Sequence, residues 1–320
     1  MSDSPSNGSA GARAPSGLLR RHGRWLVLAV ALLLLAWLMR DLDRDAAWRA
    51  WLSVPAWVWS LMLAGLLASH LARAARIHNE WADRVPMRFR DAMALTVSHS
   101  AWVVIAPMRA GEAYYPLALR ERYGIGLAES SLSLLRQRVQ DLLALATIAA
   151  CLLPLPAMVR IALFASAFAA VTLGARRGWQ LLERWLPKLK RLSTLDDDPR
   201  KHLRRWLLTL INWVLKLAAL AFPLTVMGGL GFEQAWRGAF GGEIAAALPL
   251  QPPAGFGPFE AGVWAGASAF AAPASAQVIV AALAVHLAAL GFTLLLALLA
   301  RASGWHLRPV TDNAADAGNR

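Results

Sequence analysis

Two short stretches rich in proline, glycine and charge interrupt apolar sequence where a membrane helix would be expected to continue, at residues 107–112 and 252–260. Lipid offers no hydrogen bonds to a broken backbone, so such segments lie at bilayer depth only when protein or a polar cavity surrounds them. Paired interruptions in two halves of a chain are typical of transport sites. We therefore expect the two stretches to mark the functional core.

The composition is that of an integral membrane protein, because 57% of the 320 residues are hydrophobic and only 17% are charged. The formal net charge is +13, but most basic residues flank apolar runs, which indicates contact with anionic membrane lipids rather than with nucleic acid. The single cysteine, Cys151, excludes a disulfide framework and a cysteine-based metal site. The sequence contains no phosphate-binding loop, dinucleotide fingerprint or metalloprotease motif, so we expect no metal and no cofactor.

Hydropathy and charge together predict the topology of an all-α polytopic protein. The apolar runs are residues 25–39, 53–72, 92–106, 130–153, 157–174, 206–227, 236–250, 259–272 and 276–300. A full crossing needs roughly 20 residues, so the runs at 92–106, 236–250 and 259–272 are too short to cross alone. Short basic segments mark the cytoplasmic side, which assigns residues 1–24, 73–91 and 175–205 to the cytoplasm. If every run crossed the membrane, residues 175–205 would lie outside.

We therefore predict six full spans and two opposed re-entrant helical hairpins, formed by residues 92–119 and 236–272, with eight simple spans as the alternative. The N-terminus is expected in the cytoplasm. Residues 1–19 are expected to form a disordered tail, residues 20–303 the membrane domain and residues 304–320 a C-terminal tail. Within the domain, residues 175–205 are expected to form a basic segment on the cytoplasmic membrane surface.

Charged residues occur inside the apolar run at 130–153. Only twelve residues follow Asp141 in this run, about 18 Å of helix, so its charges are expected to lie within the membrane. Arg138 and Asp141 are three positions apart and suit an ion pair, whereas Arg136 needs another partner, for which we expect Glu112 beside Arg109. Guanidinium groups bind phosphate well, so this cluster is predicted to bind a lipid phosphate. The alternative is a salt-bridge network that only joins helices.

The second interruption ends in a new helix, with Pro258 suited to its first position. The N–H groups of such a helix end favour an anion, and Gly255 and Gly257 allow positive φ and close approach, so both glycines are assigned to the substrate site. Glu260 is also assigned there, and we expect it to cap the helix. Proton coupling through Glu260 or Glu243 is the alternative.

Prolines, glycines and histidines complete the set of candidate residues. The hairpin tips or hinges are assigned to Pro107 and Gly111 in the first stretch and to Pro252, Pro253 and Pro258 in the second. His99 and His286 lie in apolar segments and are candidates either for proton relay or for structural hydrogen bonds.

The segments 107–112, 136–141 and 252–260, in this order, resemble the signature blocks of one family. It is the flippase-like transmembrane domain of bacterial lysylphosphatidylglycerol synthases, which also occurs as stand-alone membrane proteins, and the resemblance covers residues 25–300. The resemblance implies translocation of lipids or lipid-linked molecules across the bacterial cytoplasmic (inner) membrane. The sequence ends at Arg320 without the soluble aminoacyl-transferase domain, so we do not expect synthesis of lysylphosphatidylglycerol.

The predicted function is that of a flippase or transporter, not an enzyme, which moves a lipid or lipid-linked anionic headgroup through a polar intramembrane cavity. The alternatives are a non-catalytic accessory protein of a lipid-modifying or glycolipid pathway, and a membrane-embedded transferase with Glu112 or Asp141 as base. The expected partners are a phospholipid or lipid-linked substrate, anionic membrane lipids and a lipid-biosynthesis enzyme.

Overall fold

The computed structural model describes residues 48, 51–52, 54–185, 198–247 and 253–302. This part of the chain is all-helical, as the sequence predicts, and three short 3-10 segments, Pro107–Ala113, Ala150–Leu152 and Pro253–Gly255, join or precede helices. The α-helices of the described ranges are α1 (Ala56–Trp81), α2 (Phe89–Ile105), α3 (Tyr114–Tyr123), α4 (Leu127–Ala149), α5 (Ala157–Trp185), α6 (Pro199–Met227), α7 (Phe232–Ala247), α8 (Pro258–Ser268) and α9 (Gln277–Ala302). The run at 25–39 and both predicted tails, 1–19 and 304–320, lie outside the described residues.

Four helices are long and apolar enough to cross a membrane: α1, the first part of α5 (Ala157–Gly174), α6 and α9. They coincide with four of the six predicted spans. The fifth predicted span corresponds to α4, whose 23 residues extend about 34 Å but include buried charge. These helices establish a multi-pass membrane architecture, whereas the total of six crossings stays a prediction.

The first interruption folds back onto the helix that precedes it. Helix α2 has 17 residues, the 3-10 segment Pro107–Ala113 follows, and α3 has only 10 residues, about 15 Å of helix. A Cβ at Gly111 would lie 2.1 Å from the carbonyl oxygen of Trp102, so glycine allows the segment to pack against the end of α2. The predicted hairpin at 92–119 thus corresponds to a helical hairpin, and its re-entrant placement stays a prediction.

The second hairpin is formed by α7 and α8, whose backbones touch. A Cβ at Gly241 would lie 2.2 Å from the carbonyl oxygen of Gly262, and a Cβ at Gly266 would lie 2.1 Å from that of Arg237. Small residues allow this close approach between helices in lipid, where packing replaces the hydrophobic effect as the main attraction. Helix α8 has 11 residues, about 16 Å, which is too short to cross a bilayer core of about 30 Å.

The tips of the two hairpins meet inside the molecule. The 3-10 segment Pro253–Gly255 contacts both the segment Pro107–Ala113 and helix α2. Positive φ angles of 58° at Ala254, 78° at Gly255 and 90° at Gly257 turn the chain between the two arms of the second hairpin. Pro252 lies outside the described residues. The two interrupted stretches, 145 positions apart at their starts, therefore become neighbours.

Helix α1 extends beyond the apolar run 53–72 into the basic segment 73–91. Helix α1 continues to Trp81, and within it Arg76 and Glu80 are buried, 2% and 8% exposed. The apolar run was taken to end at the first charge, whereas these buried charges pair with groups on α4. The cytoplasmic placement of residues 73–91 stays a prediction. Part of the predicted surface segment 175–205 is also helical, since α5 continues to Trp185 and α6 begins at Pro199; residues 186–197 lie outside the described part.

Candidate functional site

One face of α1 carries charge into the interior. Arg76 lies against helix α4, with its Nη1 2.6 Å from Oδ1 of Asp141, and it also donates a hydrogen bond to Thr209 of α6 at 3.1 Å. One turn further on, Glu80 forms an ion pair with Arg136 and accepts a hydrogen bond of 2.7 Å from the hydroxyl of Ser133. Two buried ion pairs therefore join α1 to α4.

Helix α4 also contacts the tip of the first hairpin. The Nη2 atom of Arg138 lies 2.6 and 2.7 Å from the two carboxylate oxygens of Glu112, and its Nη1 lies 3.4 Å from Asp141. The predicted pair of Arg138 with Asp141 is confirmed. Glu112 also lies 3.1 Å from Nε2 of His99, so the hairpin tip is held by both α2 and α4.

The expected pairing of Arg136 with Glu112 was wrong. Positions two apart on a helix point roughly 200° away from each other, because a turn takes 3.6 residues. Arg138 faces the hairpin tip, so Arg136 faces α1 and pairs with Glu80 instead. The sequence thus placed Glu112, Arg138 and Asp141 together correctly and assigned the partner of Arg136 incorrectly.

Uncharged side chains form hydrogen bonds around these charged side chains. The hydroxyl of Tyr115 accepts hydrogen bonds from Nε1 of Trp81 at 3.0 Å and from Nε2 of Gln137 at 2.9 Å. Nε1 of Trp213 on α6 donates to Asp141 at 3.2 Å. These bonds hold the charged groups in place, although the Nε atoms of Arg76, Arg136 and Arg138 have no hydrogen-bond partner in the described residues.

Arg73 differs from the other arginines of this cluster. It donates a hydrogen bond of 3.1 Å to the hydroxyl of Ser100, and it forms no ion pair with any carboxylate of the described residues. Its guanidinium is nevertheless within electrostatic range of Arg138, Asp141 and Glu112. The cluster, defined as Arg73, Arg76, Arg136 and Arg138 with Glu80, Glu112 and Asp141, therefore carries one excess positive charge. The side chain of Arg109 lies outside the described part of the chain.

Sequence reasoning missed the contribution of α1. Arg73, Arg76 and Glu80 were placed in a basic cytoplasmic segment and not in the site, although their spacing of three and four positions is that of one helix face. This spacing, directly after the apolar run 53–72, was the available signal. It indicates a helix that continues with its charged face turned inward.

The second hairpin has its own buried carboxylate. Oε2 of Glu260 accepts a hydrogen bond of 2.6 Å from the N–H of Gly257, and Pro258 occupies the first turn, so the predicted cap is confirmed. Its Oε1 lies 2.7 Å from Nδ1 of His286 on α9, and Glu260 is only 1% exposed. The helix end that was expected to receive an anion thus holds the chain's own carboxylate, while substrate binding by Glu260, Gly255 and Gly257 stays a prediction.

Helix α6 connects the second hairpin with the cluster. Nζ of Lys216 lies 2.6 Å from Oε2 of Glu243 on α7, and 5.3 Å from the ring centroid of Trp213, which donates to Asp141. Proton coupling through Glu243 or Glu260 and proton relay through the two histidines stay predictions. Within the described residues, no group of three or more histidine, cysteine or acidic side chains could hold a metal ion.

A multi-pass helical membrane protein with paired interrupted hairpins and a buried arginine–carboxylate cluster is the class that this architecture defines. The chain matches the family of lysylphosphatidylglycerol synthase transmembrane regions over residues 24–297, and it belongs to that family. The resemblance of the three sequence blocks is thereby confirmed. No curated protein matches the chain significantly.

Proposed function

We propose that the protein moves a lipid, or a lipid-linked molecule, with an anionic headgroup between the leaflets of the bacterial cytoplasmic membrane, with its N-terminus in the cytoplasm. The observation that best supports this proposal is Arg73, a cation without a carboxylate partner in the described residues beside a network of buried ion pairs. An arginine at bilayer depth is costly unless it faces an anion or water. A lipid phosphate supplies the missing anion and matches the planar guanidinium.

A phosphate bound at Arg73 would also compete for Arg138. The Arg138 side chain is 29% exposed and the Glu112 side chain 21%, so their ion pair is partly accessible. Replacement of Glu112 by phosphate would free the tip of the first hairpin, and that tip contacts the second hairpin. In this mechanism the two hairpins are re-entrant and open alternately, and the headgroup passes between their tips.

We further propose that the protein performs no covalent chemistry. Glu112 and Asp141, the two candidate bases, both pair with arginine, which stabilises the carboxylate and opposes proton abstraction. The proposed partners are the transported lipid, anionic membrane lipids and an enzyme that makes the lipid.

Transport is tested with fluorescent phosphatidylglycerol in proteoliposomes. We expect Arg73→Gln to slow transbilayer movement about 10-fold, which corresponds to about 1.4 kcal/mol, while the melting temperature stays near wild type because no ion pair is lost. The matched control is Arg84→Gln, since the Arg84 side chain is 45% exposed and pairs with Glu129 at 2.6 Å. It should move lipid at the wild-type rate.

Two outcomes would count against the proposal in different ways. If the wild-type protein moves no lipid beyond protein-free vesicles across several lipid classes, the flippase function is wrong. If Arg73→Gln matches wild type while transport itself is present, the phosphate is bound elsewhere and the role of Arg73 is wrong.

A further inference from the structure

A cavity of about 390 Å³ lies where α4 ends and α5 and α7 begin. Its walls are mostly apolar and come from four helices, through Ile148, Phe164, Val214 and Trp236 among others. Ligand pockets in proteins usually have volumes of about 300–1,000 Å³, so the cavity is large enough for part of an amphiphile. None of its lining residues belongs to the cluster around Arg73, which makes it a separate site.

Two arginines, Arg160 and Arg237, and one glutamate, Glu233, line this cavity. Nη1 of Arg160 lies 2.8 Å from Oε1 of Glu233, and Nη1 of Arg237 lies 3.7 Å from Oε2 of the same carboxylate. One carboxylate therefore pairs with two guanidinium groups, so this group of three side chains has one excess positive charge. Arg237 is buried, 8% exposed, and its Nε atom has no hydrogen-bond partner in the described part of the chain. Burial of an incompletely paired arginine is unfavourable, which indicates that another anion completes this group.

We propose that this cavity binds an amphiphile with an acidic headgroup. The apolar walls hold the tail, and Arg160 and Arg237 bind the headgroup between them. Glu233 lies beside both of these guanidinium groups, and its side chain is 57% exposed. Because this carboxylate is largely exposed, solvent weakens its hold on the two arginines, and an incoming phosphate displaces it.

The only cysteine of the chain provides a local measurement. Cys151 lines the cavity, and its carbonyl oxygen accepts a hydrogen bond of 3.4 Å from Nη1 of Arg160. The rate at which a small maleimide modifies Cys151 in the full-length, detergent-purified protein therefore reports occupancy. We expect saturating dioctanoyl-phosphatidylglycerol to slow modification about 5-fold, dioctanoyl-phosphatidylcholine less than about 2-fold, and glycerol 1-phosphate not at all.

Variants separate the charge effect from damage to the fold. Arg237→Gln should abolish protection by phosphatidylglycerol, whereas Arg84→Gln, on a surface ion pair away from the cavity, should keep it. Glu233→Gln removes the competing carboxylate, so the lipid concentration needed for half-maximal protection should fall about 3-fold. A misfolded variant could not produce this gain.

The proposal is overturned if phosphatidylcholine protects as well as phosphatidylglycerol, because the site then does not require a headgroup with a net negative charge. It is also overturned if glycerol 1-phosphate protects equally, since the site then needs no tail, or if no compound protects. Labelling is measured without transport, so failure here leaves the flippase proposal untouched, and failure of transport leaves this site untouched.

Discussion

Valine in place of Gly266 is expected to destroy the second hairpin and with it the folded protein. The added Cβ would lie 2.1 Å from the carbonyl oxygen of Arg237, which is backbone of α7 and cannot rotate away. Overpacking of a core costs about 1–3 kcal/mol when side chains can adjust, so a clash between two backbones should cost about 3 kcal/mol or more. Thermal denaturation in detergent, followed by size-exclusion chromatography with fluorescence detection, measures the loss.

Gly291→Val is the matched control, because Gly291 also lies inside a helix and a Cβ there would meet no atom within 4 Å. Its melting temperature should stay close to that of wild type, since substitutions away from packed contacts usually change stability by only about 0.5 kcal/mol. Equal melting of the two variants would mean that α7 and α8 are not packed backbone to backbone.

Loss of Glu80 should be strongly destabilising, because its carboxylate neutralises a buried arginine. Glu80→Leu leaves Arg136 buried without its carboxylate and takes an acceptor from Ser133. Removal of one partner of a buried ion pair typically costs about 3–5 kcal/mol, because the remaining charge stays out of water. We expect a correspondingly large drop in the melting temperature in detergent.

The double variant Glu80→Leu with Arg136→Leu should recover most of this stability, because it removes both charges at once. Asp83→Leu serves as the surface control: its side chain is 65% exposed and pairs with Lys201, so its loss should cost less than about 1 kcal/mol. A double variant as unstable as the two single changes combined would show that Glu80 and Arg136 do not act as a pair.

Features that depend on neighbours in sequence were predictable. The cap of Glu260 on Gly257 spans three positions, and the pair of Arg138 with Asp141 also spans three, so helix geometry alone fixes both. Pro107 likewise ends the first helix locally, because the residue before a proline is driven out of the helical region, and Ala106 is extended.

Features that depend on how helices rotate against each other were not predictable. Hydropathy places the end of a span at a charged residue such as Arg76, because the scale includes the unfavourable transfer of the charge into lipid. It does not include the ion-pair partner that offsets this transfer. Only after α1 packs beside α4 and α6 do Asp141 and Thr209 come within hydrogen-bond distance of Arg76. The choice between Glu80 and Glu112 as partner of Arg136 depended on the same rotation.

The sequence by itself determined that this is a helical membrane protein, where its helices break, and which segments carry the polar residues. Composition and local backbone chemistry decide these properties, and they act over a few positions along the chain. Only the tertiary structure decided that the two breaks meet, that Arg136 pairs with Glu80, and that Arg73 is left without a carboxylate partner in the described residues. These facts follow from the depth and rotation of packed helices, because a distance of about 3 Å between groups far apart in sequence arises only when the whole bundle is assembled.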